Sequence, residues 1–135
     1  MKKLIIALGL GSMLFAVATP KNHGTTNDPD LQLALQGKFK EAFSGFEKRC
    51  TEKKDAYACG MVGYMLDKGI GGIQKDHEKA VKFYQKGCEL NDADSCTLLG
   101  YYEYKNGNKD KAKKLLKKAC NLGNKDACNY LGKIF

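Results

Sequence analysis

Several things that carry chemistry or nucleic-acid recognition are scarce in this chain of 135 residues. It has two histidines, His23 and His77, too few and too far apart to build a zinc site with an open position. No two of its six cysteines lie closer than eight positions, which excludes zinc ribbons, zinc fingers and the redox C-x-x-C. Arg49 is the one arginine among 23 basic residues, poor equipment for reading nucleic acid, where arginine forks dominate. Two prolines exclude a proline-rich polymer. The glycine-rich stretch Gly69 to Lys75 lacks G-K-[ST] and a preceding strand, so it reads as a loop between repeats and not as a phosphate cradle. No metal and no cofactor is expected.

What is present is the composition of one modest globular domain, with 43% hydrophobic and 28% charged residues and a net charge of +8. Met1-Lys2-Lys3 begins the chain on a basic note, and Leu4 to Val17 is almost wholly apolar. Ala16-Val17-Ala18 then offers small residues at the positions a signal peptidase reads. Residues 1–18 are expected to be a cleavable signal peptide cut after Ala18, since about 14 apolar residues rise only about 21 Å as a helix and fall short of a bilayer core. The cut takes the charge from +8 to +6 by removing Lys2 and Lys3. Residues 19–28 are polar and read as a flexible linker that includes His23. Export puts the six cysteines in an oxidising compartment, periplasmic or fully secreted, with no membrane association after cleavage.

From there on the sequence is periodic. Ala42, Ala80 and Ala112 each lie eight residues before Cys50, Cys88 and Cys120, and Phe46, Tyr84 and Leu116 lie four before them. A second cysteine follows at Cys59, Cys96 and Cys128, each after a small residue and each four residues before Gly63, Gly100 or Gly132. A period of 38 and then 32 residues with apolar spacing of three and four predicts stacked αα-hairpins, an all-α solenoid over residues 29–135. The expected units are 38–68, 76–105 and 109–135, with Asp30 to Gln36 as half a repeat capping the stack. Six lysines between Lys109 and Lys118 read as a solvated face.

The cysteine spacing fits those hairpins. On one continuous helix, cysteines eight or nine apart would be separated by about 12 Å, about twice what a disulfide spans. Across a helix–turn–helix the first closes one helix and the second opens its partner. The repeat therefore predicts Cys50–Cys59, Cys88–Cys96 and Cys120–Cys128 among the 15 pairings that six cysteines allow.

The units KDHEKAVKFYQKGCELNDADSCTLLGYYEYKNG and NKDKAKKLLKKACNLGNKDACNYLGKIF resemble cysteine-rich Sel-one-like repeats. More closely, the A-x7-C-x7/8-C-x3-G pattern from about Leu31 to Phe135 is similar to the Hcp family of secreted cysteine-rich proteins. The last period is shorter than that family's usual one, and Lys105-Asn106-Gly107-Asn108 replaces a longer glycine loop. The resemblance implies one of two functions: a beta-lactam-binding protein or weak beta-lactamase, or a non-catalytic protein-binding scaffold. Serine beta-lactamases need S-x-x-K, S-D-N and K-T-G, and none occurs here, so no catalytic residue is named. The ligand is then a beta-lactam or peptidoglycan-like molecule, or a protein or peptide, and not nucleic acid. With the glycine-bearing helices on the inner curve, the expected binding groove holds Tyr64, Lys68, Thr97, Tyr101, Lys105, Asn129 and Lys133. The tyrosines would supply contact area and the lysines would attract an anionic group.

Overall fold

A computed structural model describes residues 27–135. The expected signal peptide and nearly all of the expected linker lie outside the described residues. Among the described residues seven α-helices follow one another: α1 (Pro29–Leu35), α2 (Phe39–Lys53), α3 (Ala56–Lys68), α4 (His77–Glu89), α5 (Ala93–Lys105), α6 (Lys109–Asn121) and α7 (Lys125–Ile134). A 3₁₀ turn, Ile70–Gly72, sits between α3 and α4. No strand occurs among the described residues. The architecture is the helical-hairpin solenoid that the periodicity predicts.

The small residue before each second cysteine has a local reason. Asp55, Asp92 and Asn124 cap α3, α5 and α7, and their side chains accept from the backbone N–H of Ala58, Ser95 and Ala127 at 3.2, 3.0 and 2.9 Å. Those three residues sit at the third helical position, fully or almost fully buried, where a larger side chain would have no room. Each hairpin turn also needs one residue in the left-handed region: Lys54 at φ 52°, Asn91 at φ 74° and Gly123 at φ 103°.

Packing runs along the stack. The second helix of a repeat packs more extensively on the first helix of the next repeat than on its own hairpin partner. The glycine four residues after the second cysteine makes that close approach possible. A Cβ at Gly63 would come within 2.7 Å of the Tyr84 ring, and one at Gly100 within 2.9 Å of Leu116 Cγ. At Gly132 the same atom would meet nothing within 4 Å. Ala42, Phe46, Cys50, Val62 and Tyr84 form one buried cluster, and Cys96, Leu99, Leu116, Ala119 and Ala127 belong to a second. Burial is thus distributed along the solenoid instead of gathered in one centre.

All six cysteines are paired, as Cys50–Cys59, Cys88–Cys96 and Cys120–Cys128, with Cα atoms 4.7, 4.6 and 4.8 Å apart. Each bond crosses the base of one hairpin.

Two expectations change. Asp28, placed by composition at the end of a linker, is the N-cap of α1 and is buried, its carboxylate accepting from the N–H groups of Asp30 and Leu31. Lys118, read as part of a solvated face, is half-buried and donates from Nζ to the Cys88 carbonyl at 2.7 Å. It thereby satisfies a carbonyl near the end of α4, where a helix leaves such groups without partners.

Candidate functional site

The second helices α3, α5 and α7 contribute most of a cavity of about 390 Å³. Tyr57, Met61 and Tyr64 of α3 form one wall, and Thr97 and Leu98 of α5 the other. Asp92, Asp94, Asn124 and Asp126 add a polar rim. Tyr64 stays 43% exposed, which makes its ring available to a ligand. Tyr57 lies edge-on to Phe46 with centroids 6.0 Å apart. Burial, helped by the negative charge of Asp28, pushes its pKa up to about 12, so the Tyr57 hydroxyl stays protonated at physiological pH.

A second cavity of about 500 Å³ opens near the other end of α3 and α5. Lys68, Lys75, Lys105, His77 and Tyr102 line it, with Asp67 among them. Asp67 is buried and accepts from Tyr84 Oη at 3.4 Å, from Tyr102 Oη, and stands 2.9 Å from His77 Nδ1. The His77 ring meets the Tyr102 ring edge-on at 4.7 Å. Burial works to raise the Asp67 pKa, but the hydrogen bonds from Tyr102 and His77 outweigh it and leave the carboxyl below its ordinary value. Burial and the same carboxylate push the Tyr84 and Tyr102 hydroxyls up. The cluster ties α3, α4 and α5 together. Sequence reading missed it because its four members come from three helices. An aspartate closing the otherwise apolar stretch Ala58 to Leu66 was the signal available.

The seven expected groove residues divide among several places. Tyr64 and Thr97 line the first cavity, Lys68 and Lys105 the second. Thr97 is buried and its hydroxyl donates to the Ala93 carbonyl at 2.9 Å, so its one donor is already used within the helix. Tyr101 stacks on Tyr130 at 5.9 Å and carries the Lys105 ammonium 5.4 Å from its ring centroid. Asn129 and Lys133 are exposed on α7 and line neither cavity.

In the first cavity one serine reaches the lining. This residue, Ser95, is buried and its hydroxyl donates to the Asp92 carboxylate at 2.5 Å, with no lysine or histidine in the lining to act as base. No cluster able to hold a metal occurs among the described residues. No described helix is long and apolar enough to cross a membrane.

Stacked αα-hairpins, each closed by its own disulfide, define a helical-repeat protein. Residues 56–92 and 93–124 match the Sel1 repeat, and the chain belongs to the Sel1 repeat family. Among solved structures it is similar to the Helicobacter pylori cysteine-rich protein B, at 30% identity and a TM-score of 0.68, over 90% of this chain and 92% of that one. A Sel1 repeat protein from Oxalobacter formigenes aligns at 27% identity and a TM-score of 0.67, over 78% of this chain and 44% of that one. A curated relative, the cytochrome c oxidase assembly factor 7 homolog of Drosophila melanogaster, is 33% identical over 64 residues. That match takes in 46% of this chain and 24% of the relative, so the chain spans about a quarter of its length.

Proposed function

We propose that this protein is an exported, non-catalytic scaffold that holds a segment of a partner protein against its second helices. The observation that carries this reading is the first cavity, about 390 Å³ and walled by tyrosines, methionine and leucine from successive repeats. Such a surface offers apolar contact area beside a polar rim, which suits a docked peptide. Three disulfides are the bonds of an oxidising compartment and support a site of action outside the cytoplasm, reached through the 1–18 signal segment. The sole arginine is held by three carboxylates, which speaks against nucleic acid as the partner.

The test is a random-peptide display selection on the oxidised protein, followed by affinity measurement on Tyr64→Ala. Selected peptides should lose at least about tenfold in affinity, the usual scale for an exposed aromatic anchor. Peptides that ignore Tyr64→Ala, or a selection with no enrichment, would sink the reading.

A small-molecule reading rests on the same cavity, whose size suits a compact ligand, and on the resemblance to the Hcp family. A beta-lactam or peptidoglycan-like molecule would then bind without an assembled nucleophile. A chromogenic beta-lactam with calorimetry checks it: binding without turnover is expected, and neither heat nor hydrolysis would remove it.

A further inference from the structure

We propose that the first cavity is specific for a basic side chain, a lysine or arginine projecting from the docked segment; this rests on the docking reading above. The chain carries 23 lysines and arginines against 15 acidic residues, yet among the described residues no lysine, arginine or histidine lines this cavity. Its charged lining is acidic throughout: Asp92, Asp94 and Asp126. The neighbouring cavity has the opposite character, with three lysines and His77 around it. The basic residues of the fold are thus kept away from one particular recess.

Geometry adds to the charge. Asp94 and Asp126 are exposed at the rim, and neither forms an ion pair among the described residues. Asn124 donates from Nδ2 to Asp94 Oδ1 at 2.7 Å, which fixes that carboxylate in place while leaving most of its acceptor capacity open. Tyr64 and Tyr57 bring aromatic rings to the wall, and a ring face attracts a cation. Met61 and Leu98 offer apolar surface for the aliphatic stem behind the charged head. An uncharged apolar anchor would cover the rim carboxylates and strip their water without replacing it, an unfavourable exchange. A cationic head replaces that water with charge.

The experiment maps amide shifts of the oxidised protein by nuclear magnetic resonance on titration with acetyl-Gly-Lys-Gly-amide. The norleucine analogue serves as an uncharged isostere. The lysine peptide should move the signals of Gly60, Tyr64 and Leu98 and bind about five- to tenfold more tightly than the norleucine peptide. The Asp94→Asn, Asp126→Asn double variant should erase that ratio, while Tyr64→Ala weakens both peptides. Equal binding of both peptides at those signals would overturn the charge specificity and leave the docking reading standing. If neither peptide moves those signals at millimolar concentration, the docking reading falls with it.

Discussion

Arg49 grips Asp28 with both arms of its guanidinium, Nη1 to Oδ1 at 2.8 Å and Nη2 to Oδ2 at 2.9 Å. The same group reaches Asp30 at 2.9 Å through Nη1 and Asp55 at 2.9 Å through Nη2, and its carbon lies 5.3 Å from the Phe46 ring centroid. The single arginine of the chain thus joins the cap of α1 to α2 and to the cap of α3. The guanidinium makes five hydrogen bonds to these three carboxylates, two of them bidentate on Asp28, where an ammonium has only three N–H groups to donate. Arg49→Lys should lower stability by about 1–2 kcal/mol, and Arg49→Ala by about 3 kcal/mol, because the second leaves three clustered carboxylates without a counter-ion. Urea unfolding midpoints check both, and an Arg49→Ala midpoint equal to the parent's would refute the role.

Acid should loosen the same end of the molecule. Burial tends to raise the Asp28 pKa, but the hydrogen bonds from Arg49 and from the Leu31 and Asp30 N–H groups overcome it and hold the carboxyl below its ordinary value. A depressed folded pKa gives stability that is present above the unfolded value and lost as pH falls through the folded one. Asp67 follows the same sign. Stability should therefore hold steady down to about pH 4 and fall below it. Asp28→Asn should flatten that fall in urea midpoints measured between about pH 5 and pH 2.

Alkaline titration should show tyrosines that ionise late. The chain has seven; Tyr57 is pushed up to about 12, and Tyr84 and Tyr102 are also raised, burial being the leading cause in all three. Their neutral forms stabilise the fold below the unfolded pKa, and that contribution disappears as pH rises through the folded values. Ultraviolet titration should find Tyr57, Tyr84 and Tyr102 still protonated at about pH 11, and Tyr57→Phe should remove one tyrosine from that late-ionising group.

The three repeat glycines are equivalent in sequence but not in surroundings. Gly63→Ala should cost about 1–3 kcal/mol, since its Cβ would press on the Tyr84 ring at 2.7 Å. Gly100→Ala belongs to the same class through Leu116. Gly132→Ala meets open space and should stabilise α7 by up to about 1 kcal/mol. Thermal unfolding of the three variants separates them, and a loss at Gly132 matching that at Gly63 would contradict the packing.

The disulfides should yield to reductant in an order set by access. Cys50 and Cys59 are fully buried, Cys88 and Cys96 nearly so, whereas Cys128 is exposed and Cys120 partly so. Limited reduction followed by alkylation and mass spectrometry should mark Cys120 and Cys128 first and Cys50 and Cys59 last. In the chain-entropy model each bond contributes about 2.5 kcal/mol.

The fold was legible because one pattern is written three times, so the cysteines, the alanines and the glycines check one another. Helix ends follow the expected units closely; α3 and α5 end at Lys68 and Lys105, where the first two units were expected to end. The binding surface was less legible. Its acidic rim comes from residues at the starts of α5 and α7, which a reading centred on the lysines at helix ends had no reason to join. Asp28 was overlooked because a polar stretch conceals a cap, although Asp28 followed by Pro29 is itself the signature of a helix start. Thr97 had the right position for a groove, but a threonine inside a helix can turn its hydroxyl back to the preceding turn.

Each disulfide closes a loop within one hairpin, and none ties one repeat to the next. A protease that nicks Thr51 to Asp55 leaves both pieces tethered through Cys50–Cys59, whereas a nick between Gly69 and Lys75 leaves only non-covalent packing to hold the halves. Mechanical extension follows the same division. A chain pulled from its two ends can surrender length between the hairpins, while the turns inside them stay locked until a sulfur–sulfur bond is cut.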